Sequence, residues 1–238
     1  MENYINEMEN TAEAVTEEAK AENTENEKST EETGKTDKTD KTEDKMVINL
    51  EKPYVFEGKE YKTIDLSGIE KLTVGDAVDV QSKLVDEGEV AAALITERTT
   101  AFARALAAKA TDYPIEFFKL MPRGVSKKMQ RVVVSALTVT EEAEGHVVKL
   151  NKPYFFEGKE YTEIDLNGMS NMTSMNESEA ENRLIRAGIT ITEPTYNYLY
   201  ACIMASMATG LPESFFSGLP IREVLKLKAE VNNSDFFE

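Results

Sequence analysis

An α+β architecture, mainly α, is what this sequence predicts: two tandem copies of a small domain, each a β-hairpin followed by three to four helices. The first observation is a duplication. "KPYVFEGKEYKTIDLSG" at residues 52–68 recurs as "KPYFFEGKEYTEIDLNG" at residues 152–168, a match too long for chance. The second is that the pattern T-x-x-P-x-x-F-F-x-x-[ML]-P recurs downstream, as "TDYPIEFFKLMP" from Thr111 and "TGLPESFFSGLP" from Thr209. The third is a change of period within each copy, from the alternation of strands to the three-to-four spacing of helices.

The chain has 238 residues and a net charge of -17. Residues 1–45 hold 15 Asp/Glu against 6 Lys, a net of -9, which leaves -8 for the rest. That first stretch carries one aromatic, Tyr4, and ends in the low-complexity run "KTDKTDKTEDK". It has too little apolar surface to offset the entropy of ordering, so a disordered acidic tail is expected, with at most a weak helix over residues 8–21. The two repeats are expected at 46–140 and 146–238, joined by "TEEAEG".

Each repeat opens on an apolar run, "VINLEKPYVF" or "VVKLNKPYFF", then "EGKEY", then "KTIDL" or "TEIDL". Gly58 and Gly158 suit a tight turn that needs positive φ. Ile64 and Leu66 alternate with Thr63 and Asp65, as in a half-buried strand. Pro53 and Pro153 have no N–H and must lie at an edge or an interruption.

Helices are expected next. In copy one Val74, Ala77, Val78, Gln81, Leu84 and Val85 trace one face, which closes at Gly88. In copy two Ser174 and Glu177 have capping-box spacing and Gly188 marks the stop. A longer helix follows in each copy. It is continuous over the Ala-rich residues 89–110 in copy one. In copy two it is started by Thr192 and Pro194, striped by Tyr196, Leu199, Tyr200, Ile203, Met204 and Met207, and stopped at Gly210. Pro114 and Pro212 then suit the first turn of a short helix, and a last helix closes each copy.

The residue inventory argues against most chemistry. One cysteine, Cys202, permits no intrachain disulfide and fits a reducing cytoplasm. Cys202 reads as a small buried apolar residue and His146 as part of the inter-repeat linker, so no nucleophile–base pair is expected. The scarcity of Cys and His excludes the usual structural zinc, and no calcium-loop pattern is present. No cofactor or metal is expected. "EGKEY" lacks the second glycine and the strand–helix setting of a phosphate loop. A surface this acidic disfavours nucleic acid, and no apolar run reaches the ~18–20 residues that cross a bilayer. The N-terminus has neither the basic residues nor the apolar stretch of a signal peptide.

What remains is surface. Phe117 and Phe118, like Phe215 and Phe216, are adjacent on one helical turn and cannot share a direction. One of each pair is expected to anchor the domain and the other to face the second repeat or a partner, with core packing as the simpler reading of both. Phe236 and Phe237, at the chain end beside Asp235 and Glu238, look like a peptide that inserts into a groove of this or another molecule.

The second copy resembles the small tail assembly chaperones of contractile-tailed bacteriophages and prophages. The matching positions are Leu150, Pro153, Gly158, Tyr161, Ile164 and Leu166, then Ala208, Thr209, Gly210, Leu211 and Pro212, with a closing helix after Pro220. Copy one matches through its hairpin and more loosely beyond, where "ATDYP" replaces "ATGLP". The resemblance implies a non-enzymatic protein of the bacterial host cytoplasm. It implies the tape-measure protein as client, with the major tail-tube protein and a second copy of the chain as further partners. Met204 and Met207, with Met169, Met172 and Met175, are adaptable side chains suited to apolar helices, and tandem copies raise avidity for a repetitive client. The alternative is a structural tail accessory or adaptor protein retained in the virion.

Overall fold

The computed structural model describes residues 46–138, 144–189 and 193–237. The acidic tail expected over 1–45 and residues 140–143 of the expected linker lie outside the described residues. The fold is mainly helical, with two antiparallel hairpins each followed by helices.

Glu57 and Gly58 join β1 (Val47–Phe56) to β2 (Lys59–Asp65), and Glu157 and Gly158 join β3 (Val147–Phe156) to β4 (Lys159–Asp165). Both residues of each turn take positive φ, 49° and 76° in the first hairpin, 48° and 78° in the second. A two-residue turn of this hand matches the twist of the strands it joins. Pairing runs from Phe56↔Lys59 to Tyr54↔Tyr61, breaks, and resumes at Asn49↔Thr63. Repeat 2 has the same register and the same break. Pro53 and Pro153 fall inside that break, where no ladder N–H is required. In repeat 2 the buried carboxylate of Glu223 holds the irregular stretch, accepting from the Asn151 N–H at 3.1 Å and from Asn151 Nδ2 at 2.9 Å.

A short 3-10 turn follows each hairpin, Ser67–Lys71 and Asn167–Asn171. Gly68 and Gly168 let these turns rest on the end of the long helix of the same repeat. A Cβ on Gly68 would stand 1.9 Å from the Ala110 carbonyl oxygen, and one on Gly168 would stand 2.0 Å from that of Ala208. No side chain fits either gap.

Repeat 1 then builds α1 (Val74–Asp86), α2 (Val90–Leu94), α3 (Thr100–Ala110), α4 (Ile115–Lys119) and α5 (Arg123–Leu137). Repeat 2 builds α6 (Ser174–Arg186), α7 (Tyr198–Thr209), α8 (Glu213–Ser217) and α9 (Val224–Val231). Three sequence expectations are corrected here. The helix expected over residues 89–110 is broken, because threonine hydroxyls compete for the backbone. Thr96 Oγ1 donates to the Ala92 carbonyl at 2.6 Å, and Thr99 is extended and caps α3 by accepting from the Phe102 N–H at 3.2 Å. The capping box of α6 uses Thr173 and Asn176 rather than Ser174 and Glu177. α7 starts at Asn197, whose Oδ1 accepts from the Leu199 and Tyr200 N–H groups. Pro194–Tyr196 is a separate 3-10 turn, so Tyr196 leaves the stripe, and Thr192 lies outside the described residues.

Each hairpin folds its aromatic face over the short helix below it. The Phe117 ring lies 5.0 Å from Tyr54, 5.3 Å from Phe56 and 4.9 Å from Tyr61, and the Tyr54 hydroxyl donates to the Phe117 carbonyl at 2.9 Å. Phe215 repeats the arrangement with Tyr154, Phe156 and Tyr161. Edge-to-face packing of this kind adds about 0.5–1.5 kcal/mol per pair beyond the area it buries.

The described residues of the two repeats share one compact unit and one continuous core. Their joint is α1. This helix packs on α3 of its own repeat and on α7 and α8 of the other. Val74, Ala77, Val80, Gln81 and Leu84 are buried, while Val78 and Val85 are half-buried, so more than one face is covered. Just before the helix the backbone makes a short antiparallel bridge across the repeats. The Val74 N–H donates to the Leu219 carbonyl at 2.8 Å, and the Ile221 N–H donates to the Leu72 carbonyl at 2.9 Å. Gly75 lies against Ser217, whose carbonyl oxygen would be 3.1 Å from an added Cβ. The amide of Gln81, 2% exposed, donates to Thr96 Oγ1 at 2.7 Å and to the Tyr196 carbonyl at 3.0 Å, and accepts from the Tyr198 N–H at 2.9 Å. Arg222–Glu70, at 3.1 Å, and Lys228–Glu97 pair across the same joint.

Three stability outcomes follow from this packing. Gly68→Ala should lower the unfolding free energy by at least about 2 kcal/mol, since the obstacle is backbone. Gly124→Ala, in open space within α5, should instead raise it by roughly 0.5 kcal/mol. Gln81→Leu should cost about 3 kcal/mol by stranding buried donors and acceptors on both repeats. Urea denaturation followed by circular dichroism measures all three.

Candidate functional site

The aromatic pairs do not form a surface. Phe117, Phe215 and Phe216 are fully buried and Phe118 is 1% exposed. Both members of each pair are core, because the short helix that carries them is enclosed between the hairpin and the other helices. The expected partner-facing role for one member of each pair is therefore corrected. Met204 is buried as well, and Met207 is half-buried. Met169 is buried, Met172 half-buried, and Met175 is 81% exposed. Phe236 docks on its own molecule, its ring 4.0 Å from that of His146, whose Nδ1 lies 2.7 Å from Glu230 Oε1. The side chain of Phe237 lies outside the described residues.

Cys202 sits inside α7, 1% exposed, and burial pushes its thiol up to about 12, so it stays protonated and inert at neutral pH. Among the described residues no three His, Cys, Asp or Glu side chains converge as a metal-ligand group, and no helix is long and apolar enough to cross a membrane.

A groove of about 490 Å³ runs along repeat 1 between α1, α3 and α4. That lies within the roughly 300–1,000 Å³ of ordinary ligand clefts. Its apolar lining is Val80, Leu84, Ala101, Ala105, Ala108 and Ile115. The rim is charged. Lys109 pairs with Asp76 at 3.0 Å and Asp79 at 3.1 Å, and Arg104 lies 3.4 Å from Glu89. Burial disfavours the Lys109 charge, but the two aspartates outweigh it and hold the ammonium above its ordinary range. Beside the rim stand two exposed apolar residues, Leu120 at 71% and Val90 at 72%.

The groove exists because the two copies diverged in volume. Repeat 2 places Leu199, Ile203 and Ser206 where repeat 1 has Ala101, Ala105 and Ala108. Ile203 is 1% exposed and fills its own repeat. Repeat 2 also ties α6 to α8 through Arg183 and Glu213, 2.6 Å apart, where repeat 1 has Lys83 and Ile115. Side-chain truncation without collapse leaves space behind it. Reading along one copy sees only an Ala-rich helix. Comparing the copies position by position carries the signal.

The site has apolar depth and a mixed-charge rim, with no Cys, His, Ser or Thr in its lining, a surface whose chemistry suits apolar contact. No protein-family model, curated protein or solved structure matches the chain.

Proposed function

We propose that this chain is a non-enzymatic phage tail assembly chaperone that shields apolar helical segments of the tape-measure protein until the tail tube encloses them. The observation that carries the reading is the open apolar groove of repeat 1, at a place that repeat 2 fills with its own side chains. The sequence resemblance supplies the client class. An amphipathic helix laid into such a groove buries its apolar stripe against Val80, Leu84 and Ile115 and keeps its polar face in water. The net charge of -17 keeps the loaded complex soluble and discourages precipitation.

The test is co-expression with a tagged phage tape-measure protein, followed by affinity recovery of that client. The wild-type chain should co-purify. Ala105→Ile, which installs the repeat 2 residue, and Ile115→Glu should each reduce recovery at least tenfold while their circular dichroism stays unchanged. Full recovery of both folded variants, or none of the wild type, contradicts the proposal. Purified virions should lack the chain; stoichiometric incorporation would point to a tail accessory instead.

A further inference from the structure

α5 carries four cations and no carboxylate over its 15 residues, in a chain where Asp and Glu outnumber Lys and Arg 44 to 27. Composition alone does not produce such a helix. Local helix energetics do not ask for it either. Arg123 stands in the first turn, where the helix dipole disfavours a cation, and no acidic residue accompanies it there.

Three of the four cations form a stripe. Arg123, Lys127 and Arg131 recur every fourth residue, are exposed, and make no ion pair among the described residues. Lys128 leaves the stripe and pairs with Glu51 at 3.0 Å. The stripe runs into a groove of about 520 Å³ between α5 and the 3-10 turn Thr96–Arg98. Arg98, Lys127 and Arg131 line this groove, and Val134 gives it an apolar surface. Gln130 ties its two sides together. The Gln130 Nε2 donates to the Arg98 carbonyl at 2.6 Å, and its Oε1 accepts from Lys127 Nζ at 2.9 Å. Among the described residues neither a carboxylate nor an aromatic ring lines the groove. It shares no lining residue with the groove beside α1.

The two copies diverge at these positions. Arg98, Arg123, Lys127 and Arg131 stand where repeat 2 has Tyr196, Ile221, Leu225 and Ala229. Ile221 is buried and Leu225 half-buried, so repeat 2 uses the equivalent face for packing. In repeat 1 all four positions are exposed and positive.

We propose that this groove docks an extended acidic segment of another protein, with carboxylates at alternate residues. Cations four residues apart on a helix are spaced by about 6 Å. Alternate side chains of an extended strand share one face at a spacing of about 6.6 Å. Three successive carboxylates of such a segment therefore pair with Arg123, Lys127 and Arg131, and an apolar residue next in the series meets Val134. Arg98 supplies a fourth charge from the other side, and arginine forks suit carboxylates. A phosphate polymer fits less well. It would continue over a chain of net charge -17, and the groove holds no ring on which its bases could stack. The proposal uses none of the residues assigned to the tape-measure client and stands separately from that reading.

Fluorescence anisotropy of the full chain tests it, with a labelled peptide of alternating Glu and Ser that ends in Leu. The chain's own acidic residues are then present as competitors. The peptide should bind at about 0.05 M salt and roughly tenfold more weakly at about 0.5 M, because exposed pairs are screened. Lys127→Leu and Arg131→Ala, which install the repeat 2 residues, should each weaken binding roughly threefold with unchanged circular dichroism. Lys127→Glu combined with Arg131→Glu should shift the preference to a peptide with Lys in place of Glu. A chain that ignores the acidic peptide, folded variants that bind it as wild type does, or tighter binding of a labelled oligothymidylate of equal length would overturn the proposal.

Discussion

A helix with neighbours on more than one side constrains everything else in this molecule. α1 supplies the wall of its own repeat and the seat of the next, and its sequence answers to both demands. Val80 and Leu84 line the groove it shares with α3, while Gly75 lies so close to the other repeat that an added Cβ would stand 3.1 Å from the Ser217 carbonyl oxygen. Gln81 has no water to fall back on. Its amide donates to a hydroxyl and a carbonyl and accepts from a helix N-terminal N–H, and removing it would leave the Tyr196 carbonyl and the Tyr198 N–H without these partners, at about 1–3 kcal/mol apiece. The duplication therefore did not yield two beads on a string. It yielded one unit whose middle is shared.

The divergence of the copies follows from that sharing. Repeat 2 has α1 as a neighbour and fills its helical layer with Leu199 and Ile203. Repeat 1 has no third repeat against this face among the described residues, and the face keeps alanines and a charged rim. In stacked repeats an end that meets solvent must either become polar or hold something. α6 shows the first outcome along most of its outer face, with Ser174, Ser178 and Glu181 exposed. The groove beside α3 shows the second.

Much of the fold was legible because local chemistry and tertiary packing agree. The positive φ of Gly58 and Gly158, the missing N–H of Pro53 and the stop at Gly210 are backbone facts that no context reverses. The errors lie where several local signals compete. Thr96 and Thr99 look unremarkable in an Ala-rich run, yet their hydroxyls break it. Thr173 and Ser174 are both good caps, and only the position of Asn176 decides between them. The aromatic pairs misled because adjacency argues against shared burial only when a helix has a single covered side. The groove was invisible along either copy, since it is made by side chains that are absent.

Native-state hydrogen exchange tests the shared middle most directly. The amides of Val74, Ile221 and Tyr198 bond across the joint from different repeats. If α1 welds the repeats, these protons exchange with one common opening free energy, equal to that of global unfolding. Two separate opening energies, with Val74 following repeat 1 and Tyr198 following repeat 2, would contradict the account.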